Sequence, residues 1–136
     1  MIDINLMNEL LSKQKEEGGP TFDVQPIPGE VPTFAVVVDG CEELPIYVSS
    51  TDEEVLCICH LADESEINPD TAAEMHLAML NMNVPMPLSS FGKIGSKYVV
   101  FGALSAKSDA EDLAHELVTL NGNGADALEA IADYLK

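Results

Sequence analysis

The run Cys57-Ile-Cys59-His60 is the one tight cluster of metal-capable side chains in this chain. Thiolates and imidazole are zinc ligands, and a closed structural site needs four of them. The surrounding Val55-Leu-Cys-Ile-Cys-His-Leu61 reads as a buried strand, which turns residues 57 and 59 to one face and residue 60 to the other. Two thiols on one face do not complete a tetrahedral site, and Cys41 stands at no set spacing from them. Core packing is therefore the leading reading, since a buried strand cysteine behaves as a small hydrophobe. Redox sensing and metal binding are the alternatives.

The remaining groups with chemical potential lack partners. His76 and His115 each fall within a helical stretch, without a Ser or Cys nucleophile in an elbow of the Gly-x-Ser-x-Gly kind. Ser89-Ser90 would need a base and an oxyanion hole to act as a nucleophile. Asp63-Glu-Ser-Glu66 with Asp70 offers carboxylates but misses the calcium-loop spacing, with no glycine at its turn and no closing bidentate glutamate. Gly92-x-x-Gly95 is too short for a phosphate-binding loop. The pattern predicts no catalytic residues, no cofactor and no metal site.

Two other groups fit protein binding. Met75, Met79, Met82 and Met86 surround one helical stretch, and methionine serves either to fill an irregular core or to form an adaptable contact surface. Glu53 and Glu54, with Asp52, Glu42-Glu43 and Asp109-Glu111-Asp112, belong to acidic clusters in loops or helix starts. The whole chain carries 24 Asp and Glu against 6 Lys and Arg, a formal net charge of −18. That sign repels nucleic-acid phosphates and anionic lipid, and attracts basic partners. These six residues, Met75, Met79, Met82, Met86, Glu53 and Glu54, are the expected partner contacts.

At 136 residues with 46% hydrophobic content, the chain has the size of one α+β domain spanning 1–136. No stretch reaches the ~20 apolar residues of a membrane span. The first residues lack the basic region and cleavage site of a signal peptide. Three cysteines are too few for a disulfide scaffold, which points to the cytoplasm.

Leu6, Met7, Leu10 and Leu11 recur at helical spacing over 4–17, ending at Gly18-Gly-Pro20. Phe22, Val24 and Ile27 suggest a short strand that Pro26 and Pro28 confine to an edge. Strands follow at 33–38 and 44–50 around an Asp39-Gly40 turn, then at 55–61. Asn68 and Pro69 predict the cap and first residue of a central helix. Residues 86–104 give two strands around a Gly92–Gly95 connection. Ser108 and Glu111 form a capping box for a final helix. Leu113, Leu117, Leu120, Gly124, Leu128, Ile131 and Leu135 keep one phase through Asn121-Gly-Asn-Gly124, as one long helix or two nearly collinear ones. The expected architecture is a largely antiparallel sheet of about five strands, flanked by N-terminal, central and long C-terminal helices.

The segments Met86-Pro-Leu-Ser-Ser-Phe-Gly and Lys97-Tyr-Val-Val-Phe-Gly-Ala-Leu-Ser-Ala-Lys-Ser-Asp-Ala-Glu-Asp-Leu resemble the YjfI family of bacterial proteins over residues 84–117. The resemblance implies no established activity. It implies a setting beside members of the phage-shock-protein A family, which are membrane-remodelling stress proteins. The element order is also similar to type III secretion chaperones, small acidic proteins that dimerise and bind partner segments. The expected function is thus a non-enzymatic, chaperone-like interaction protein: a homodimer taking a basic or amphipathic segment, with a phage-shock-protein A member as one partner. Nucleic-acid binding and membrane insertion are not expected. The alternative is an enzyme or small-ligand sensor whose site gathers scattered acidic, His and Cys residues.

Overall fold

A computed structural model describes residues 4–17, 21–30, 33–38 and 44–136. The elements run α1 (Ile4–Glu17), β1 (Phe22–Ile27), β2 (Thr33–Val38), β3 (Ile46–Ser50), β4 (Glu54–Asp63), α2 (Ala72–Asn83), β5 (Ser90–Ile94), β6 (Lys97–Ser105) and α3 (Ala110–Ile131). The expected Gly18-Gly-Pro20 stop, the Asp39-Gly40 turn, Cys41 and Glu42-Glu43 lie outside the described residues.

Alternation of apolar residues builds one antiparallel sheet of six strands, in the order β1-β2-β3-β4-β6-β5. β1 is the edge strand expected from Phe22, Val24 and Ile27, where Pro26 is tolerated, and with it the sheet of about five strands has six. The register lines Ile46 up with Cys59, Val100 and Phe91, and Val48 with Cys57 and Gly102. These residues share the face over which α3 lies, and all are buried. The opposite face carries Ala35, Tyr47, Leu56, Ile58 and Phe101, each only half-buried. Leu113 and Leu117 are buried on the α3 side that packs on β6, while Val99 and Phe101 of that strand face away from the helix. The helix reaches β6 through the Val100 and Gly102 side, because a period of two sends neighbours to opposite faces.

The long helix is continuous through Gly122 and Gly124. A Cβ at Gly124 would stand 3.0 Å from Cys59 Sγ, whereas one at Gly122 would meet open space. Gly124 is the point of close approach between α3 and β4, so its phase is set by packing. Met7 and Leu10 of α1 are buried in the same core, and α1 rests on α3. The chain end folds back onto the β4–α2 connection: Ile67 bridges Leu135, and Lys136 N donates to Glu66 O at 2.9 Å.

Among the element boundaries that differ from the sequence expectation, three have an evident local cause. The α3 cap is Asp109, one residue past Ser108. Asp109 Oδ1 accepts from Asp112 N at 2.9 Å, and Asp109 N donates to Asp112 Oδ2 at 3.3 Å. Ser108 N is engaged by Ser105 O in the preceding turn, so the reciprocal pair forms between two aspartates. The central helix starts at Ala72, after a turn in which Asn68 Oδ1 accepts from Asp70 N and Asn68 O from Thr71 N. Gly92 lies inside β5, and the hairpin turns at Gly95, whose φ of +58° suits glycine.

Candidate protein-docking surfaces

The side chains with chemical potential are placed for structure. Cys57 and Cys59 are unpaired and fully buried. Burial pushes the Cys57 thiol up to about 12, with Glu116 adding to the rise, and the Cys59 thiol up to about 11. Both are protonated at neutral pH, the state that neither attacks nor ligates. His60 faces the other side of the sheet, edge-on to Tyr47 at 5.4 Å between ring centroids. His76 Nε2 shares a hydrogen bond of 2.7 Å with Tyr98 Oη, tying α2 to β6. Buried Ser89 accepts from Asn123 Nδ2 at 2.9 Å.

The acidic run after β4 is equally engaged. Asp63 Oδ2 accepts from Ser65 N at 3.0 Å, Asp63 Oδ1 accepts from Ser96 Oγ at 2.8 Å, and Lys97 lies 3.2 Å away. The bonds from Ser65, then those from Ser96 and Lys97, hold this carboxyl well below the usual carboxylate range. Glu64 pairs with Lys93 at 2.6 Å, and that partner raises the lysine above its ordinary value. Among the described residues, no three His, Cys, Asp or Glu are grouped to hold a metal ion. No described helix is long and apolar enough to cross a membrane.

Sequence reasoning passed over Glu116. It is 2% exposed on the inner side of α3, with Oε1 unpartnered, and burial raises its pKa while His115 pulls the other way. The signal was present, because position 116 falls within the apolar phase of Leu113, Leu117 and Leu120.

The expected methionine surface divides. Met75 and Met79 are buried in the core, whereas Met82 and Met86 are half-buried. The latter two line a cleft of about 230 Å³ with Pro85, Phe91, Asn123 and Ala127. The solvent side of α2 instead shows Ala73, Leu77, Leu80 and Val84, with the last three 61%, 66% and 89% exposed. Between Ala72 and Gly92 only Glu74 carries a formal charge. The strap leaving this helix is hooked to α3 by Asn123, whose Nδ2 also donates to Pro87 O at 2.8 Å. Leu88, between the two anchored residues, has φ of +63° and is 57% exposed.

A second surface lies on the open face of the sheet. Leu56, Ile58, Ile94, Val99 and Phe101 line a depression of about 370 Å³. Gly92 belongs to it because a Cβ there would stand 2.8 Å from the Phe101 ring. Glu53 and Glu54 sit exposed at the end of the strand that bears Leu56 and Ile58. The Thr51 hydroxyl fixes their turn, accepting from both backbone amides at 3.2 Å. Ala106 N donates to Glu53 O, which brings the start of α3 to the same end of the sheet. Topology thus gathers Asp52, Glu53 and Glu54 with Asp109, Glu111 and Asp112, which are far apart in sequence.

With this geometry in view, the chain matches over residues 1–135 the uncharacterised proteins conserved in bacteria known as DUF2170. The chain belongs to this family. It is 34% identical over 97 residues to YjfI of Escherichia coli strain K12, covering 68% of this chain and 71% of that protein, and YjfI of strain O157:H7 matches equally. Two solved structures share the fold at 14% identity. The ExsC–ExsE complex superposes with a TM-score of 0.56 over 94% of this chain and 96% of the other. YbjN of E. coli superposes with a TM-score of 0.61 over 98% and 95%. Both share with this chain the α+β arrangement expected from the element order, helices on a largely antiparallel sheet.

Proposed function

We propose that this protein is a non-enzymatic, chaperone-like interaction protein. It acts in the cytoplasm as a homodimer and binds a basic amphipathic segment of another protein along the open face of its sheet. The carrying observation is the adjacency of the apolar depression around Ile58 and Phe101 to the acidic end at Glu53 and Glu54. Apolar residues of the segment would fill the depression, and its Lys or Arg residues would meet the carboxylates, dividing affinity from steering. The likeness to ExsC, solved in complex with ExsE, supports protein binding in general terms. The family resemblance makes a phage-shock-protein A member the partner to try first.

Affinity purification from the native host, with partners identified by mass spectrometry, tests this reading. Each recovered partner is then titrated against the chain and against Phe101→Asp. Recovery of a partner with a basic amphipathic segment, lost with Phe101→Asp while the far-ultraviolet spectrum is retained, is the expected result. A partner whose binding ignores both the open face and Glu53–Glu54 would overturn it.

A further inference from the structure

The strap at 85–89, part of the segment that resembles the YjfI family, walls a cleft of about 230 Å³ against α3. Binding along the open face of the sheet leaves this cleft unused. Its walls are apolar: Met82, Pro85, Met86, Pro87, Phe91 and Ala127. They are also held in place. Proline fixes φ at positions 85 and 87. Asn123 Nδ2 donates to Pro87 O at 2.8 Å and to Ser89 Oγ at 2.9 Å, and Asn83 Oδ1 accepts from Phe91 N at 2.7 Å. A cleft anchored this way pays little in ordering when a ligand enters.

Hydrogen bonding selects the kind of ligand. Pro85 and Pro87 have no N–H, and that of Phe91 is given to Asn83. Residues 123–130 lie inside α3, where backbone N–H groups close helical bonds. Both amide hydrogens of Asn123 are spent on the strap, so its side chain offers only Oδ1. Asp126 adds a carboxylate, exposed at the rim. The lining side chains thus present acceptors and a negative charge, and no donor to receive an anion.

We infer that this cleft takes a small primary amine carried on an apolar body. The body lies between Met82, Met86 and Phe91, and the ammonium N–H groups meet Asp126 and Asn123 Oδ1. Methionine suits such a wall because its flexible thioether adapts to what it touches. The wider field agrees, since the chain carries −18 and no charged side chain stands between Asn83 and Gly92 to compete for Asp126. At about 30 Å³ for each water-sized group, the cleft holds roughly eight non-hydrogen atoms, about the size of hexylamine.

Hexylamine, 1-hexanol and hexanoate share one body and differ in the head, so titrating each against the full chain isolates the head. Nuclear magnetic resonance of the methionine methyl groups locates the ligand. Hexylamine should bind at one site and shift the methyls of Met82 and Met86, leaving the buried Met75 unmoved. The alcohol and the carboxylate should bind at least about fivefold more weakly, the upper range for an ion pair at an exposed rim. Asp126→Asn should weaken hexylamine by a similar factor. Ala130→Leu, at an exposed helix position on the lining, should block the cleft without unfolding the chain. Glu129→Gln removes an equal charge from the same helix outside the lining, and should leave the affinity nearly unchanged.

Hexanoate binding as well as hexylamine, or no shift at Met82 and Met86, would overturn the site. So would hexylamine binding that ignores Ala130→Leu. Equal weakening by Asp126→Asn and Glu129→Gln would mean that the amine condenses on the acidic surface at large, which overturns it too. A methyl response to a lysine-bearing peptide, with none to the free amine, would give the cleft to a protein side chain and overturn the small ligand.

Discussion

The carboxyl of Glu116 lies against the α-carbon of Gly102: a Cβ built on that glycine would stand 2.9 Å from Glu116 Cδ and 3.0 Å from Leu88 O. The Pro87–Ser89 strap, the Phe101-Gly102 step of β6 and the buried face of α3 meet at this point. The two segments that carry the family resemblance, Met86-Pro-Leu-Ser-Ser and Phe101-Gly-Ala-Leu-Ser, thus converge in space. Gly102 is required because the carboxyl occupies its side-chain volume. Leu88 in the left-handed region marks the cost of closing the strap, met by the two hydrogen bonds from Asn123.

Glu116 should make stability fall as pH rises through its titration. Its folded pKa is raised from 4.5 by burial, so above that value the unfolded chain holds fewer protons than the folded one. The contribution of the neutral carboxyl is present below the unfolded pKa and is lost as pH climbs through the folded pKa. Cys57 on β4 and His115 on α3 are the titratable groups coupled to it. Glu116→Gln removes this titration. Denaturant midpoints should show the variant gaining on the parent chain from pH 4.5 upward, and a pH-independent difference would show that Glu116 is charged in the fold.

Much of this was legible in the sequence where a local rule decides the outcome. The period of two in 33–38 and 55–61 placed Cys57 and Cys59 on the buried face and His60 opposite. Helical spacing over 4–17 gave α1, and the unbroken phase from Leu113 to Ile131 allowed one long helix or two collinear ones, of which α3 is the first. Boundaries were missed where two local solutions compete, as at Ser108 against Asp109, or where Asn68 closes a turn before the helix. Glu116 was not read although its place in the apolar phase of α3 signalled it, whereas the meeting of the two acidic clusters arises from tertiary approach. The methionines show the same limit: their spacing revealed a helix without revealing which side faces the core.

Gly122 and Gly124 should respond oppositely to alanine. Gly122→Ala adds a methyl to open space and removes a flexible residue from the helix interior, and should stabilise by up to about 1 kcal/mol. Gly124→Ala gains the same propensity but sets its Cβ 3.0 Å from Cys59 Sγ, so it should fall short of Gly122→Ala. Leu117→Ala, at a fully buried site, should cost about 2–5 kcal/mol. Chemical denaturation of the three variants checks all of them. A Leu117→Ala cost below about 0.5 kcal/mol would place that face of α3 in water, contrary to the magnitude for buried leucine.

The buried thiols predict alkaline weakening. Folded Cys57 and Cys59 titrate at about 12 and about 11, against 9.0 for a free thiol. Between pH 9 and about 11 the unfolded chain therefore sheds these protons first, and the stability carried by the neutral buried thiols declines. Cys57→Ala and Cys59→Ala should flatten this limb of the stability profile. Thiol-specific reagents should label both residues at a rate set by unfolding or local opening. Rapid labelling of the native chain at neutral pH would show that β4 is accessible.

Electrostatics should govern how fast a partner arrives, and burial how long it stays. Glu53 and Glu54 are exposed on a turn fixed by Thr51, beside the acidic start of α3, so their charge can be reversed without disturbing the core. Their potential reaches beyond the ~10 Å Debye length only at low salt. Glu53→Lys with Glu54→Lys should therefore lower the association rate with a basic segment, most strongly at low ionic strength, and leave dissociation nearly unchanged. Phe101→Asp should do the reverse, raising the dissociation rate through loss of apolar contact in the depression that Ile58 and Val99 also line. Stopped-flow or surface-plasmon kinetics with a partner recovered from the host, across an ionic-strength series, separates the two. An association rate indifferent to salt and to charge reversal would remove the acidic end from the encounter and leave the open face to act by shape and apolar contact alone.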